Sequence, residues 1–374
     1  MNKRIVITGV GALSALGHTI GSICANSPDQ DDTRQYESSR YLRITDFDGA
    51  NVVNGRLKRK LDNFSFYGLC AADMALKASR VLDGNIDLFR VGIFVGNCLG
   101  GWGFAESKIK ALHTESVEAM GPYVATAWFP AALQGQISLK YGIKGYSKTF
   151  SASNVAGLQA IGYGVEAIQY GRADVVLCGA SEDLSSSYVR AMLDSSAKPI
   201  NEETSVFGKE QSIAVFSEGA AFLVLEEYES AKERGATIYC EVSGFSDNFC
   251  TNIKDVNFVL KNNALNAISH PDNPYLFLTD AAFEAEISSM NCLHNEIRAP
   301  LYIASGRKHF GNMFAVSGVM ETACVAQDFC QGTTHPQRFD TCGNPSLLFD
   351  KVLIRRLSKQ GNVSTLSLST IKPN

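Results

Sequence analysis

Two kinds of apolar patterning alternate along the chain. Arg4–Thr8 (RIVIT), Val91–Val95 (VGIFV), Ala173–Cys178 (ADVVLC) and Ala220–Leu225 (AAFLVL) are short apolar runs without polar alternation, the pattern of strands covered on both faces. Between them, Phe64–Leu82 repeats Ala, Leu and Met at helical spacing. Val155–Tyr170 places Val155, Leu158, Ile161, Val165 and Ile168 on one helical face. Tyr228–Gly235 (YESAKERG) reads as a charged helix stopped by glycine. A second set follows: Thr237–Val242, Tyr275–Leu278, Leu301–Ala304 and Val352–Arg355 are expected strands, with helices at Lys254–Ile268 and Val316–Phe329. Strand–helix alternation in both halves predicts α/β layering. No Pro- or Ser-rich linker intervenes, so residues 1–235 and 236–374 are expected to pack tightly as N-terminal and C-terminal halves.

Composition narrows the function. Of 374 residues 45% are hydrophobic and 19% charged, with a formal net charge of −4, so no broad basic field exists to hold nucleic acid or anionic lipid. Ten cysteines show neither CxxC pairs nor a Cys/His cluster. A reduced, cytoplasmic protein without a metal or cofactor is therefore expected. Lys3 and Arg4 followed by Ile5–Leu16 faintly mimic a signal peptide, but Gly9, Gly11 and Gly17 interrupt the stretch. No run of about 18 apolar residues occurs. The opening GVGALSALG also lacks the third glycine of a dinucleotide fingerprint, whose place is taken by Ser14.

The segment RIVITGVGALSALG (4–17) resembles the start of a condensing enzyme of the β-ketoacyl synthase family, and the likeness continues down the chain. VGIFVGNCLGG (91–101) resembles the family's strand and glycine turn. AIGYGVEAIQYGRADVVLCGASED (160–183) is similar to the helix and strand after its nucleophile. SEGAAFLVLEEYESAKERGATIYCEVSGF (217–245) is similar to its GEGAG–strand–helix–strand passage, and SGVMETA (317–323) to the helix behind its second histidine. The resemblance implies a thiolase fold, with two similar βαβαβαβ halves in a five-layer αβαβα arrangement, and an obligate dimer.

Family chemistry needs a cysteine thiolate at a helix N-terminus to take an acyl chain from a carrier protein, and two histidines to stabilise the enolate and oxyanion as malonyl loses CO2. A lysine orders that site. At the matching positions this chain has Asn154 for the cysteine, Thr279 and Asn312 for the histidines, and Arg307 for the lysine. An asparagine side chain does not ionise to a nucleophile. Asn154 is expected instead to act as a helix N-cap. Ser151 and Ser153 stand beside it without an adjacent base, and His309 is expected at the surface or an interface. SKQGNVSTL (358–366) takes the place of the family's glycine-rich gating loop.

TAWFPAALQGQISLKYGIKG (126–145) resembles one helix of the chain-length factors, including Trp128 and Phe129. In that subfamily the nucleophile is likewise replaced by an amide residue, usually glutamine. The resemblance also places tunnel-lining side chains at Trp102, Ala105 and Ile109, whose spacing puts them on one helical face, and carrier-protein docking at Arg56, Arg59 and Lys60. It implies a non-catalytic subunit pairing with an active ketosynthase in type II polyketide, aryl-polyene or fatty-acid-like synthesis, with acyl carrier protein as a further partner. A slow stand-alone ketosynthase or a malonyl decarboxylase with relocated residues is the alternative.

Overall fold

The computed structural model describes residues 3–25, 40–196, 215–269, 272, 274–279, 286, 289, 293, 296–297, 300–332, 340–341 and 349–371. The first half contributes strands β1 (Ile5–Ser14), β2 (Val91–Gly96), β3 (Lys148–Phe150), β4 (Val175–Glu182) and β5 (Gly219–Glu227). The second contributes β6 (Cys240–Phe249), β7 (Tyr275–Leu278), β8 (Leu301–Ser305), β9 (Lys351–Leu357) and β10 (Asn362–Ser369). They lie in the order β3-β2-β4-β5-β1-β6-β10-β9-β7-β8, with Asp340–Thr341 outside β8.

One pairing scheme occurs twice. In each set the first strand runs antiparallel to the fifth and the fifth antiparallel to the fourth. The fourth is parallel to the second and the second to the third. Among the described strands, the sets join where Ile5–Ile7 pairs with Cys240–Val242.

The helices that position the site are α1 (Asn63–Ser79), α2 (Trp102–Thr114), α3 (Ala132–Tyr141), α4 (Ala156–Gln169), α5 (Val256–Ala267) and α6 (Val316–Cys330). α4 and α6 touch both sets of strands and each other, so they form the middle layer. α1 and α3 cover the outer face of the first set, and α5 that of the second. Helix, sheet, helix, sheet, helix is the five-layer order the resemblance implies. A helix between two sheets has little solvent face, so polar residues such as Ser317, Thr322 and Asp328 are buried: Thr322 Oγ1 donates to Gly318 O at 2.7 Å.

Three sequence expectations change. β1 does not stop with the expected Arg4–Thr8 but runs through to Ser14. A Cβ at Gly9 would lie 2.3 Å from Ala75 O and one at Gly11 2.1 Å from Ala71 O, so these glycines let α1 lie directly on the strand. Residues 126–145 form two helices, Val124–Trp128 and α3, interrupted around Pro130, which cannot donate to a continuing helix. Residues 358–366 are no loop: a tight turn closed by Gly361 (φ 107°) leads straight into β10.

Candidate functional site

β3 pairs with β2 along one edge and, among the described residues, leaves its other edge open. It leads into a 3-10 turn, Ser153–Val155, and then α4. Ser153 holds φ 57°, a left-handed conformation that costs a non-glycine residue about 1–2 kcal/mol. The expected cap at Asn154 is not formed. Val155 is the N-cap of α4 and, having no polar side-chain atom, makes no side-chain cap bond, while Ala156 N–H donates to Ser153 O. Asn154 lies within the turn, half-buried.

The other matched positions stand just before α6 and just after β7 and β8. α4 and α6 meet at their N-terminal ends, where a Cβ at Gly157 would lie 2.1 Å from Ala315 O. Asn312 precedes α6, and its side chain is used locally: Oδ1 accepts from Phe314 N at 2.9 Å, while its backbone bridges to Val215 and Ser217. Thr279 follows β7, is buried, and its N–H donates to Ala304 O at 3.0 Å. Arg307 opens a short helix, Arg307–Phe310, and is half-buried. His309 is not at the surface. It is buried, with its ring 4.4 Å from that of Phe310, because the short helix turns this side chain inward.

Sequence reading missed the most strongly charged feature beside these positions. Arg356 of β9 and Glu321 of α6 form an ion pair in which both side chains are buried. A Cβ at Gly318 would sit 3.4 Å from the Arg356 stem, and one at Gly306 2.5 Å from Glu321 Oε1. The signal was the RR pair following the apolar run Val352–Ile354, since a buried guanidinium demands a partner. A second buried carboxylate, Glu182, accepts from Cys98 N at 2.5 Å and Leu99 N at 3.0 Å, and burial pushes it up to about 8.

The chemical capacity of this arrangement is limited. Asn154 cannot attack, and the Asn312 side chain is taken up by the Phe314 backbone N–H. The thiol facing the turn is Cys98, whose Sγ lies 4.0 Å from Ser153 Oγ. Burial, reinforced by the Glu182 charge, pushes that thiol up to about 12, so it stays protonated at neutral pH.

Trp102 opens α2 and packs against Trp128 and Tyr188, with ring centroids 6.0 and 5.6 Å away. It borders a cluster containing Leu184, Phe216 and Phe314, with Cys98 and Leu99 at its edge, so apolar packing runs from the Ser153 turn to Trp102. Ala105 is buried, whereas Ile109 is 37% exposed. Beyond it, Trp128 (41%), Phe129 (57%) and Leu139 (80%) leave an apolar surface open. At its rim Arg56 and Arg59 are exposed, and Lys60 Nζ stands 4.6 Å from the Tyr123 ring centroid. Among the described residues there is no cluster able to hold a metal ion, and no helix is long and apolar enough to cross a membrane.

Residues 2–231 match the family described as "Beta-ketoacyl synthase, N-terminal domain". The 3-oxoacyl-[acyl-carrier-protein] synthase 2 of Vibrio cholerae is 29% identical over 259 residues, 65% of this chain but only 62% of that enzyme, less than two thirds of its length. A chain from a solved complex of a type II PKS acyl-carrier protein with its ketosynthase bound to the hexaketide is 43% identical, with a TM-score of 0.87 over 99% of this chain and 100% of that one. The ishigamide ketosynthase/chain length factor shares the fold, with a TM-score of 0.81 at 19% identity over 100% of both chains.

Proposed function

Because the chain belongs to the β-ketoacyl synthase family, we propose that it is a subunit without condensing activity of its own, pairing with an active ketosynthase and shaping the cavity in which a growing acyl chain is measured. The observation that carries this reading is the set Asn154, Thr279, Asn312 and Arg307: a thiolase-fold scaffold kept intact around positions that supply neither a nucleophile nor a base. The buried Arg356–Glu321 pair and the protonated Cys98 thiol support it. A slow synthase with relocated residues would need a thiolate, and burial of Cys98 opposes one.

In this reading Trp102, Ala105, Ile109, Trp128 and Phe129 face the tunnel or the partner. The open edge of β3 and the apolar surface from Ile109 to Leu139 are the face for the catalytic subunit. Arg56, Arg59 and Lys60 form a cationic rim suited to an acidic acyl carrier protein, where exposed charges chiefly speed encounter. Co-expressed with a cognate ketosynthase, the chain should sediment as a 1:1 heterodimer burying more than ~2,000 Å² in total. A chain that stays monomeric beside that ketosynthase at micromolar concentration contradicts the proposal.

A further inference from the structure

Asp62 caps α1 in the ordinary way, its Oδ1 accepting from Phe64 N at 2.9 Å, but its second oxygen reaches another helix and accepts from Phe104 N at 2.6 Å. α2 has Gly101 at its N-cap and no side-chain cap bond there, so Asp62, from outside the helix, satisfies its first turn. A Cβ at Gly103 would lie 2.8 Å from Asp183 Oδ2 and 3.2 Å from Asp62 Oδ2. The backbone of α2 thus rests on two buried carboxylates at once, one residue from Trp102. Asp183 Oδ2 accepts from Ser185 N at 3.1 Å, while its Oδ1 is buried without a hydrogen bond.

The groups facing this pair are mostly acidic. Glu182 precedes Asp183 at the end of β4. Glu218, just ahead of β5, accepts from Ile44 N at 2.7 Å and Leu184 N at 3.0 Å, with Tyr67 OH of α1 at 3.5 Å. The facing cation is Arg43, half-exposed, its Nε 3.8 Å from Glu218. Two adjacent carboxylates in a dry site do not both ionise readily, and a proton held by one can be donated to the other.

We propose that Asp62, which shares the space beneath Gly103 with Asp183, is a pH-responsive latch on α2, so that the packing of Trp102 against Trp128 and Tyr188 follows the protonation of this pair. With Asp62 protonated, its two oxygens keep the Phe64 and Phe104 N–H groups and the first turn of α2 is held down. When that proton leaves, the like charges repel and the turn lifts. Burial and then Asp183 push Asp62 up to about 7, and burial followed by Asp183 raises Glu218 to about 6. Carboxylic acids in an unfolded chain titrate near ~4. The stability these groups contribute is therefore fully present below ~4 and lost as pH rises through about 6 to 7, so the loosened state lies on the alkaline side. Any effect on acyl-chain length rests on the function proposed above; the latch itself does not.

The chain has two tryptophans, so Trp128→Phe leaves Trp102 as the sole indole and a direct reporter. In the full-length chain, its emission should shift reversibly to longer wavelength between pH 5.5 and 8.5, with a midpoint near 7. Asp183→Asn, which preserves both backbone bonds to Asp62, should lower that midpoint by at least one pH unit, and Asp62→Asn should abolish the transition. If Asp62→Asn does not fold, Asp183→Asn still decides. A flat emission profile with native far-UV circular dichroism, or a midpoint that Asp183→Asn leaves in place, overturns the latch.

Discussion

Glu321→Ala is expected to destabilise the chain by about 3–5 kcal/mol, the loss typical of stranding one member of a buried ion pair. Arg356 would keep its charge inside the protein, with Gly318 against its stem and no carboxylate opposite its Nη2. The bond from Nη1 to Arg355 O at 2.5 Å cannot replace a counter-charge. The double variant Glu321→Leu/Arg356→Met should recover most of the loss, because two apolar side chains of similar volume need no solvation. Urea unfolding followed by circular dichroism measures both. A single variant within 1 kcal/mol of wild type would mean that water reaches this pair, and that the interior beside Asn154 is open rather than filled.

Trp102→Gly should lengthen the products of the complex. The indole is fixed between Trp128 and Tyr188 and borders the cluster that reaches Cys98. If the acyl end meets that wall, each further extension must overpack a tight space at a cost of ~1–3 kcal/mol. That slows the next elongation about tenfold, since ~1.4 kcal/mol is one factor of ten. Removing the ring relieves it, whereas Ala105→Phe, at a buried position one turn along, should shorten the products. Mass analysis of the released chains reads both. Unchanged lengths in an intact heterodimer would assign Trp102 to packing alone.

How much of this was legible in the sequence depended on what each residue does. Fully apolar strands such as β4 and β5 were plain, because burial on both faces leaves no polar position to confuse the pattern. β10 (NVSTLSLS) was not seen, since its hydroxyls are interior and satisfied there: Ser364 bonds Asp247, Thr365 bonds Asn263, and Ser367 pairs with Ser243. The first strand was expected to stop at Thr8, before Gly9 and Gly11, because sequence cannot distinguish a glycine that ends a strand from one that admits a helix. Asn154, Thr279, Asn312 and Arg307 were found through motifs that fix their neighbours, so their identities stood out without any geometry. Arg356 belongs to no such motif. The meeting of Asp62 and Asp183 beneath Gly103 was also invisible, because only the layering of α1, β4 and α2 brings those carboxylates together.

The central claim is that acyl chemistry belongs to the partner and not to this chain, and intact-protein mass spectrometry tests it most directly. The complex with its ketosynthase would be incubated with acyl- and malonyl-loaded carrier protein, quenched during turnover, and each subunit weighed. The account predicts acyl adducts on the partner alone, and turnover unchanged by Asn154→Ala. An acyl adduct on this chain that forms during turnover, at Cys98, Ser153 or any other residue, or turnover abolished by Asn154→Ala, would contradict it.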